Sequence, residues 1–358
     1  MKNPIDFLIS TRAGRALALI ATLALALFAL QATGWVNGFR AFEPVEHLRL
    51  GAYEGDVGAL EWIAKEQGFY ANVGLDVEIK GYPSGKEAAD ALKAGQVDVA
   101  TASEYVVASR SFAEPELRIL GNIAYYRNKG IIGRRDRGIS APADLKGKRI
   151  GVTSPSGAEY SLNVFLALHG FTVQDVVSVN LAPKQIVAAM ETGSIDATIT
   201  WQPHVQAIEK KLGANAISFQ GDGLDTYLLL LVTREQNLTA TNSALNKLMR
   251  AMVLAEKWVA AHPDEAKRYL AQRFALEPAY LEYLWPNMQL AVTLPQELLI
   301  AMDSEARWLV SQEHRSDAIP NYAGFIRAEP LKAANPLAVT LYAEAPGNAR
   351  PSPPSPER

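Results

Sequence analysis

Residues 91–101 read Ala91-Leu92-Lys93-Ala94-Gly95-Gln96-Val97-Asp98-Val99-Ala100-Thr101, and residues 189–199 repeat the phrase, 98 positions later, as Ala189-Met190-Glu191-Thr192-Gly193-Ser194-Ile195-Asp196-Ala197-Thr198-Ile199. Each copy is typical of a helix end, a glycine that adopts the left-handed conformation freely, an aspartate and a short apolar strand. One helix-to-strand connection used twice predicts two similar α/β lobes, and two lobes predict a ligand cleft between them. The alternative is chance similarity between two loops, because Gly and Asp are common there.

Composition limits the class of protein. The chain has 358 residues, enough for two domains, with 49% hydrophobic and 20% charged residues. A net charge of −3 without a long basic run argues against nucleic acid as the main partner. The chain contains no cysteine, which excludes disulfides, Cys-ligated metal centres, a thiol nucleophile and a lipoprotein anchor.

The N-terminus predicts export. Lys2, Arg12 and Arg15 precede an uncharged run over 16–39, of which 16–30 is the most apolar part. Residues 1–40 are therefore interpreted as a signal peptide or as a membrane anchor, with 16–36 as the segment that would stay in the membrane. Both interpretations place the rest of the chain in the periplasm, because basic flanks stay cytoplasmic. A buried core helix is the alternative.

Strands alternate with helices through the first two thirds of the chain, which predicts mostly parallel sheets covered by helices. The apolar run 228–233 is expected to be a strand that returns to the first lobe. Long helices follow from Asn242 onward. The Pro-rich tail has little to bury, and we expect residues 328–358 to be disordered.

Candidate ligand-binding residues follow the predicted strands, because ligands lie at the carboxyl ends of parallel strands. Serine hydroxyls and a helix start suit an anion or a carbonyl oxygen, an indole suits an organic ligand, and several carboxylates suit amine or ring N–H donors. The candidates are Tyr53, Glu54, Asp56, Ser103, Glu104, Ser154, Ser156, Gly157, Trp201 and Asp225. The structural alternatives are ordinary helix caps, core packing of the tryptophan and solvated loop charges.

No catalytic or metal pattern stands out. The five histidines are scattered, and neither H-E-x-x-H nor G-x-S-x-G is present. We therefore expect no cofactor and no metal.

These residues together resemble a known family. The shared elements are Tyr82-Pro83-Ser84-Gly85, the repeated phrase, the run 143–152 with its Asp144-Leu145-Lys146-Gly147-Lys148 motif, Ser154 to Gly157, and Thr200-Trp201-Gln202-Pro203. They are similar to the periplasmic solute-binding proteins of ABC importers for nitrate, sulfonates, taurine and pyrimidine thiamin precursors. The resemblance covers about 46–327.

The resemblance implies a two-lobed periplasmic-binding-protein (Venus flytrap) fold of type II. Lobe I would comprise 46–130 and 225–327, and lobe II would comprise 131–224. The ligand would be a small molecule bound between the lobes by the candidate residues. The partners would be an inner-membrane ABC permease and its ATPase.

The sequence leaves three hypotheses about function open. The first is the binding component of an importer. The second is an enzyme on the same scaffold, similar to a menaquinone-pathway dehydratase, with Glu104 or Asp225 as its acid or base. The third is a membrane-tethered sensor. The cleft offers no obvious arginine apart from Arg110 or Arg127, which weighs against simple nitrate or sulfonate. In every reading, Ser103 and Trp201 are expected to share one pocket.

Overall fold

The structure, a computed structural model, describes residues 44–127, 129–219, 227–312 and 318–342. The predicted export segment, the candidate Asp225 and residues 343–358 lie outside these ranges. Within them, no helix combines the length and the apolar character needed to cross a membrane.

The described strands are β1 (Glu46–Tyr53), β2 (Leu75–Tyr82), β3 (Val99–Ser103), β4 (Leu117–Tyr126), β5 (Lys129–Arg134), β6 (Arg149–Val152), β7 (Val177–Asn180), β8 (Ala197–Trp201), β9 (Ala216–Phe219), β10 (Tyr227–Arg234) and β11 (Met288–Gln289). The α-helices are α1 (Ala59–Glu66), α2 (Phe69–Asn72), α3 (Gly85–Lys93), α4 (Glu104–Ser111), α5 (Gly157–Leu168), α6 (Pro183–Thr192), α7 (His204–Leu212), α8 (Glu235–Ala261), α9 (Pro263–Phe274), α10 (Pro278–Leu284), α11 (Gln296–Gln312) and α12 (Glu329–Ala334).

Two sheets organise these elements. The first has the strand order β11-β4-β10-β3-β1-β2, and the second has the order β7-β6-β8-β5-β9. β1 pairs in parallel with β2 and β3, and β6 pairs in parallel with β7 and β8. The chain enters the second sheet at β5 and rejoins the first at β10, which lies antiparallel between β3 and β4. The predicted α/β class and the predicted return strand are confirmed.

The repeated phrase forms the same connection in both lobes. α3 and α6 end at glycines in the left-handed conformation, Gly95 with φ of 69° and Gly193 with φ of 74°. The strands β3 and β8 follow. The repeat therefore reflects one local structure used twice, as predicted.

The aspartate of each phrase binds an arginine in a parallel strand of its own lobe, Arg49 in β1 and Arg149 in β6. Asp98 accepts hydrogen bonds from the main-chain N–H of Arg49 at 2.9 Å and from its guanidinium at 3.1 and 2.6 Å. Asp196 accepts the equivalent bonds from Arg149 at 2.9, 3.2 and 2.8 Å. In return, the main-chain N–H of each aspartate donates to the carbonyl of its arginine at 2.8 Å. We call these two arrangements the Arg–Asp clamps.

The clamps set the pairing of the neighbouring strands. Directly after each arginine, Leu50 lies opposite Val99, and Ile150 lies opposite Ala197. Both lobes thus have the same register between these two strands. The carboxyl ends of β1 and β3 lie side by side at one edge of the first sheet, and those of β6 and β8 do so in the second.

Two predicted boundaries are wrong. α8 begins at Glu235, seven residues before Asn242, where the helical region was expected to begin. The chain passes directly from β10 into the helix, which has an acidic residue in its first turn. The tail is ordered well beyond 328. α12 occupies part of it and buries Leu331 completely, and the N–H of Thr340 donates to the carbonyl of Leu294 at 3.0 Å. The segment is ordered because it buries apolar side chains such as Leu331, although it is rich in proline.

We expect Asp98→Ala to destabilise the first lobe. The substitution removes the acceptor for three N–H groups of Arg49, and the cost should be about 1–2 kcal/mol because that guanidinium is half exposed. Urea unfolding monitored by circular dichroism measures the loss. Asp303→Ala breaks an exposed pair with Arg307 and is the matched control. Equal stability of the two variants would show that the clamp contributes nothing beyond a surface ion pair.

Candidate functional site

A cavity of about 60 Å³ lies between the two sheets, with room for several waters or a small ligand. Its walls come from the ends of strands and the starts of helices in both lobes. They are formed by Tyr53, Val57, Ser84, Gly85, Lys86, Ser103, Val106, Tyr126, Lys129, Thr153, Pro155, Ser156, Gly157, Ala158, Trp201 and Leu229. Most of this surface is aromatic or aliphatic.

Three helices begin at the cavity. Ser84 caps α3 by accepting from the N–H of Glu87 at 3.2 Å, and Ser103 caps α4 by accepting from the N–H of Val106 at 3.4 Å. At α5, the hydroxyl of Ser156 donates instead to the carbonyl of Thr153 at 2.5 Å, so this serine does not cap its helix. First-turn N–H groups and the positive ends of the helix dipoles favour a negatively charged group in such a place.

An aromatic pair spans the cavity from one lobe to the other. Tyr53 ends β1 of the first lobe and Trp201 ends β8 of the second, and both rings line the cavity. Ser103 ends β3 and lines the same cavity. Ser103 and Trp201 therefore share one pocket, which is the geometry that the repeat predicts.

Five of the candidate residues line the cavity, namely Tyr53, Ser103, Ser156, Gly157 and Trp201. Glu54 does not, because its carboxylate turns to Arg273 at 3.1 Å. Ser154 does not, because its hydroxyl donates to Glu159 at 2.8 Å.

Asp56 and Glu104 are buried behind the cavity wall. Asp56 accepts from the hydroxyl of Tyr280 and, at 2.8 Å, from the N–H of Val57. Glu104 accepts from the N–H of Leu228 at 3.1 Å. Burial raises the pKa of Asp56 to about 6, and it raises the pKa of Glu104 while the charge of Lys129 opposes that rise. These carboxyl groups therefore do not face a ligand directly.

Lys129 is the cavity residue that the sequence reasoning missed. It is the first residue of β5, directly after the chain leaves the first lobe. Its ammonium lies over the ring of Tyr227 and 3.4 Å from the hydroxyl of Ser161. Arg110, one of the two arginines considered from sequence, instead pairs with Asp90 and Glu114 and is not part of the wall. The available signal was a lysine directly before the apolar run Gly130-Ile131-Ile132 of a predicted strand.

Further contacts join the lobes beside the cavity. The hydroxyl of Tyr105 donates to Glu159 at 3.1 Å. Tyr160 stacks on Tyr105 with ring centroids 6.1 Å apart and meets Trp308 edge-on at 5.5 Å. Together these side chains hold α5 of the second lobe against α4 and α11 of the first.

Metal-binding chemistry finds no support in the part of the chain that the structure describes. No group of three or more His, Asp or Glu side chains there has the arrangement of a metal site.

A family model described as NMT1/THI5 like matches residues 59–266, which is more than half of the chain. The resemblance inferred from the sequence motifs is thereby confirmed. A binding protein of Brucella abortus is 24% identical over 62% of this chain and 69% of its own length. The taurine-binding periplasmic protein of Escherichia coli is 30% identical over 44% of this chain and 49% of its own length.

Solved structures share the fold. The alkanesulfonate-binding protein SsuA of Xanthomonas axonopodis, bound to MOPS, matches with a TM-score of 0.69 at 22% identity, over 80% of this chain and all of its own. The desulfurization enzyme DSZB matches with a TM-score of 0.59 at 17% identity, over 81% of this chain and 98% of its own. The fold is thus the periplasmic-binding-protein fold, and it also occurs in an enzyme.

We expect the burial of Asp56 to make stability depend on pH. Its pKa of about 6 lies above the unfolded value of about 3.9, so the folded state binds more protons between these values and loses stability as pH rises. The free energy of unfolding should fall by about 1.4 kcal/mol from this group between pH 5 and pH 8. In Asp56→Asn, the free energy of unfolding should fall by about 1.4 kcal/mol less between pH 5 and pH 8 than in the unaltered protein. Urea unfolding at both pH values measures the difference.

Asp264→Asn changes an exposed aspartate and serves as the control for charge removal. Its pH profile should parallel that of the unaltered protein. A parallel profile for Asp56→Asn as well would mean that Asp56 titrates as in the unfolded chain.

Proposed function

Because the chain belongs to the NMT1/THI5-like family, we propose that it is the solute-binding component of an ABC importer and captures a small organic anion. The proposal places the protein in the periplasm, with residues 1–40 as its export signal or anchor. A permease and its ATPase are the proposed partners.

The convergence of three helix starts on one aromatic cavity carries the proposal. The N-terminal ends of α3 and α4 come from the first lobe, and that of α5 comes from the second. These ends and the ammonium of Lys129 favour an anionic group, while Tyr53, Tyr126 and Trp201 favour an apolar body. A sulfonate or carboxylate on a short carbon skeleton has both features. Relatives named for taurine and alkanesulfonate binding support this ligand class.

Binding between the lobes would also let the permease distinguish the ligand-bound protein from the empty one. A ligand that contacts Ser103 of one lobe and Gly157 of the other is bound better when the lobes are together, so it shifts the population toward the closed form. The closed form would then be recognised by the permease.

A second candidate function is catalysis on the same scaffold, because the fold also occurs in a desulfurization enzyme. The position of Glu104 favours binding over catalysis. Its carboxyl group is buried behind the wall and engaged with the N–H of Leu228, so it does not present a proton to the cavity.

A ligand panel tests the proposed function. The purified full-length protein is titrated calorimetrically with ethanesulfonate, taurine, nitrate, ethylamine and 4-aminopyrimidine, and its melting temperature is recorded with each. At 100 times its dissociation constant, a true ligand should stabilise the protein by about 2.7 kcal/mol. We expect this from a sulfonate and not from ethylamine. Binding of amines alone would overturn the anion assignment, and conversion of a bound compound to a product would favour the enzyme.

Trp201→Ala should weaken binding of the best sulfonate from that panel. The indole provides apolar cavity wall, and its loss should cost roughly tenfold to a hundredfold in affinity. Trp285→Ala, which alters a tryptophan away from the cavity wall, is the matched control. If both variants bind as the unaltered protein does, Trp201 has only a packing role.

A further inference from the structure

We propose that Lys129 determines the charge selectivity of the cavity, its ammonium pairing with the anionic group of the ligand. This inference rests on the proposed function, and it assigns the selectivity to a single residue.

The ammonium of Lys129 and the start of α5 converge on one place. A Cβ atom added to Gly157 would lie 2.7 Å from the ammonium nitrogen and 3.0 Å from the ring of Tyr227. A side chain at position 157 would therefore displace the lysine. The absence of that side chain brings the positive charge next to the first N–H group of the helix, so a single anionic group can be recognised by both.

Buried acidic groups lie near Lys129 on the protein side. Glu104 and Glu305 are both buried, and burial raises the pKa of each carboxyl group. The nearby charge of Lys129 acts in the opposite direction and lowers both pKa values by a smaller amount. One carboxyl oxygen of Glu305 has no hydrogen-bond partner. These carboxyl groups attract the ammonium of Lys129 from the protein side, and an anion in the cavity would be a further negatively charged partner for it.

The second lysine of the wall is differently placed. Lys86 pairs with Asp90 at 3.0 Å, and about a third of its side chain is exposed. Its charge is therefore balanced by a neighbour and screened by water. Because Lys86 itself lines the cavity, the control lysine is taken from outside the wall: Lys211 pairs with Glu191 at 2.6 Å and is half exposed.

Lys129 also lies where the chain crosses between the lobes. It begins β5, the first strand after the chain leaves the first sheet, and it contacts Tyr227, which begins the return strand β10. An anion held by Lys129 is consequently bound at the point where both connections between the lobes meet. This placement couples the recognition of charge to closure.

Two probes of similar shape separate charge recognition from packing. Ethanesulfonate carries the anionic group, and ethyl methyl sulfone replaces one anionic oxygen by a methyl group. The full-length protein and its Lys129→Met, Lys129→Arg and Lys211→Met variants are titrated calorimetrically with both, after thermal melting has shown that each is folded. Lys129→Met should bind ethanesulfonate about 10- to 100-fold more weakly, with its affinity for the sulfone unchanged.

The remaining variants complete the test. Lys129→Arg should restore most of the preference for the anion because it keeps the charge, and Lys211→Met should stay within about threefold of the unaltered protein. Equal losses for both probes in Lys129→Met, or an unchanged preference for ethanesulfonate, would overturn the role of Lys129 while leaving the proposed function intact. If the unaltered protein prefers the sulfone or binds neither probe, the anion assignment itself fails and the inference fails with it.

Discussion

The structure depends on the paired Arg–Asp clamps. In each lobe an arginine of one strand, Arg49 of β1 or Arg149 of β6, is bound through its main chain and its guanidinium by the aspartate that precedes a neighbouring parallel strand. Because side chains alternate between the faces of a strand, a slip of one residue would turn every side chain to the opposite face. By preventing that slip twice, the clamps bring the ends of β3 and β8 to the edges that face each other, and Ser103 and Trp201 reach a common cavity.

Local sequence features predicted the fold because they act over short distances. A glycine after a helix, an aspartate before a strand and the apolar run of β10 each report a nearby structure. The arginine partners were missed because they lie 49 and 47 residues upstream of their aspartates. Their signal was nevertheless present, since Arg49-Leu50-Gly51 and Arg149-Ile150-Gly151 form a second repeat. The ordered end of the chain was missed for a related reason, because its burial depends on contacts with remote elements.

The site was predictable to the extent that it depends on strand ends. The positions after parallel strands correctly include Tyr53, Ser103 and Trp201 in the wall. Side-chain direction was not predictable, because Glu54 turns to Arg273, 219 residues away, and Asp56 bonds to Tyr280, 224 residues away. From sequence alone the carboxylates favoured an amine ligand. In the structure these carboxylates lie behind the cavity wall or turn away from it. The polar groups that do line the cavity are helix starts and a lysine, which favour an anion.

Contacts inside and beside the cavity have different consequences for binding. Tyr160 and Trp308 join the lobes outside the cavity, so under the proposed function they would stabilise the association of the lobes equally for every ligand. Such contacts raise affinity without changing selectivity, because they contribute the same free energy whichever solute is bound. Selectivity must therefore come from the groups that touch the solute. Under the proposed function, the apolar walls would distinguish solutes by size, and Lys129 would distinguish them by charge. Affinity and selectivity would then depend on separate residues, so that a substitution beside the cavity would alter affinity alone.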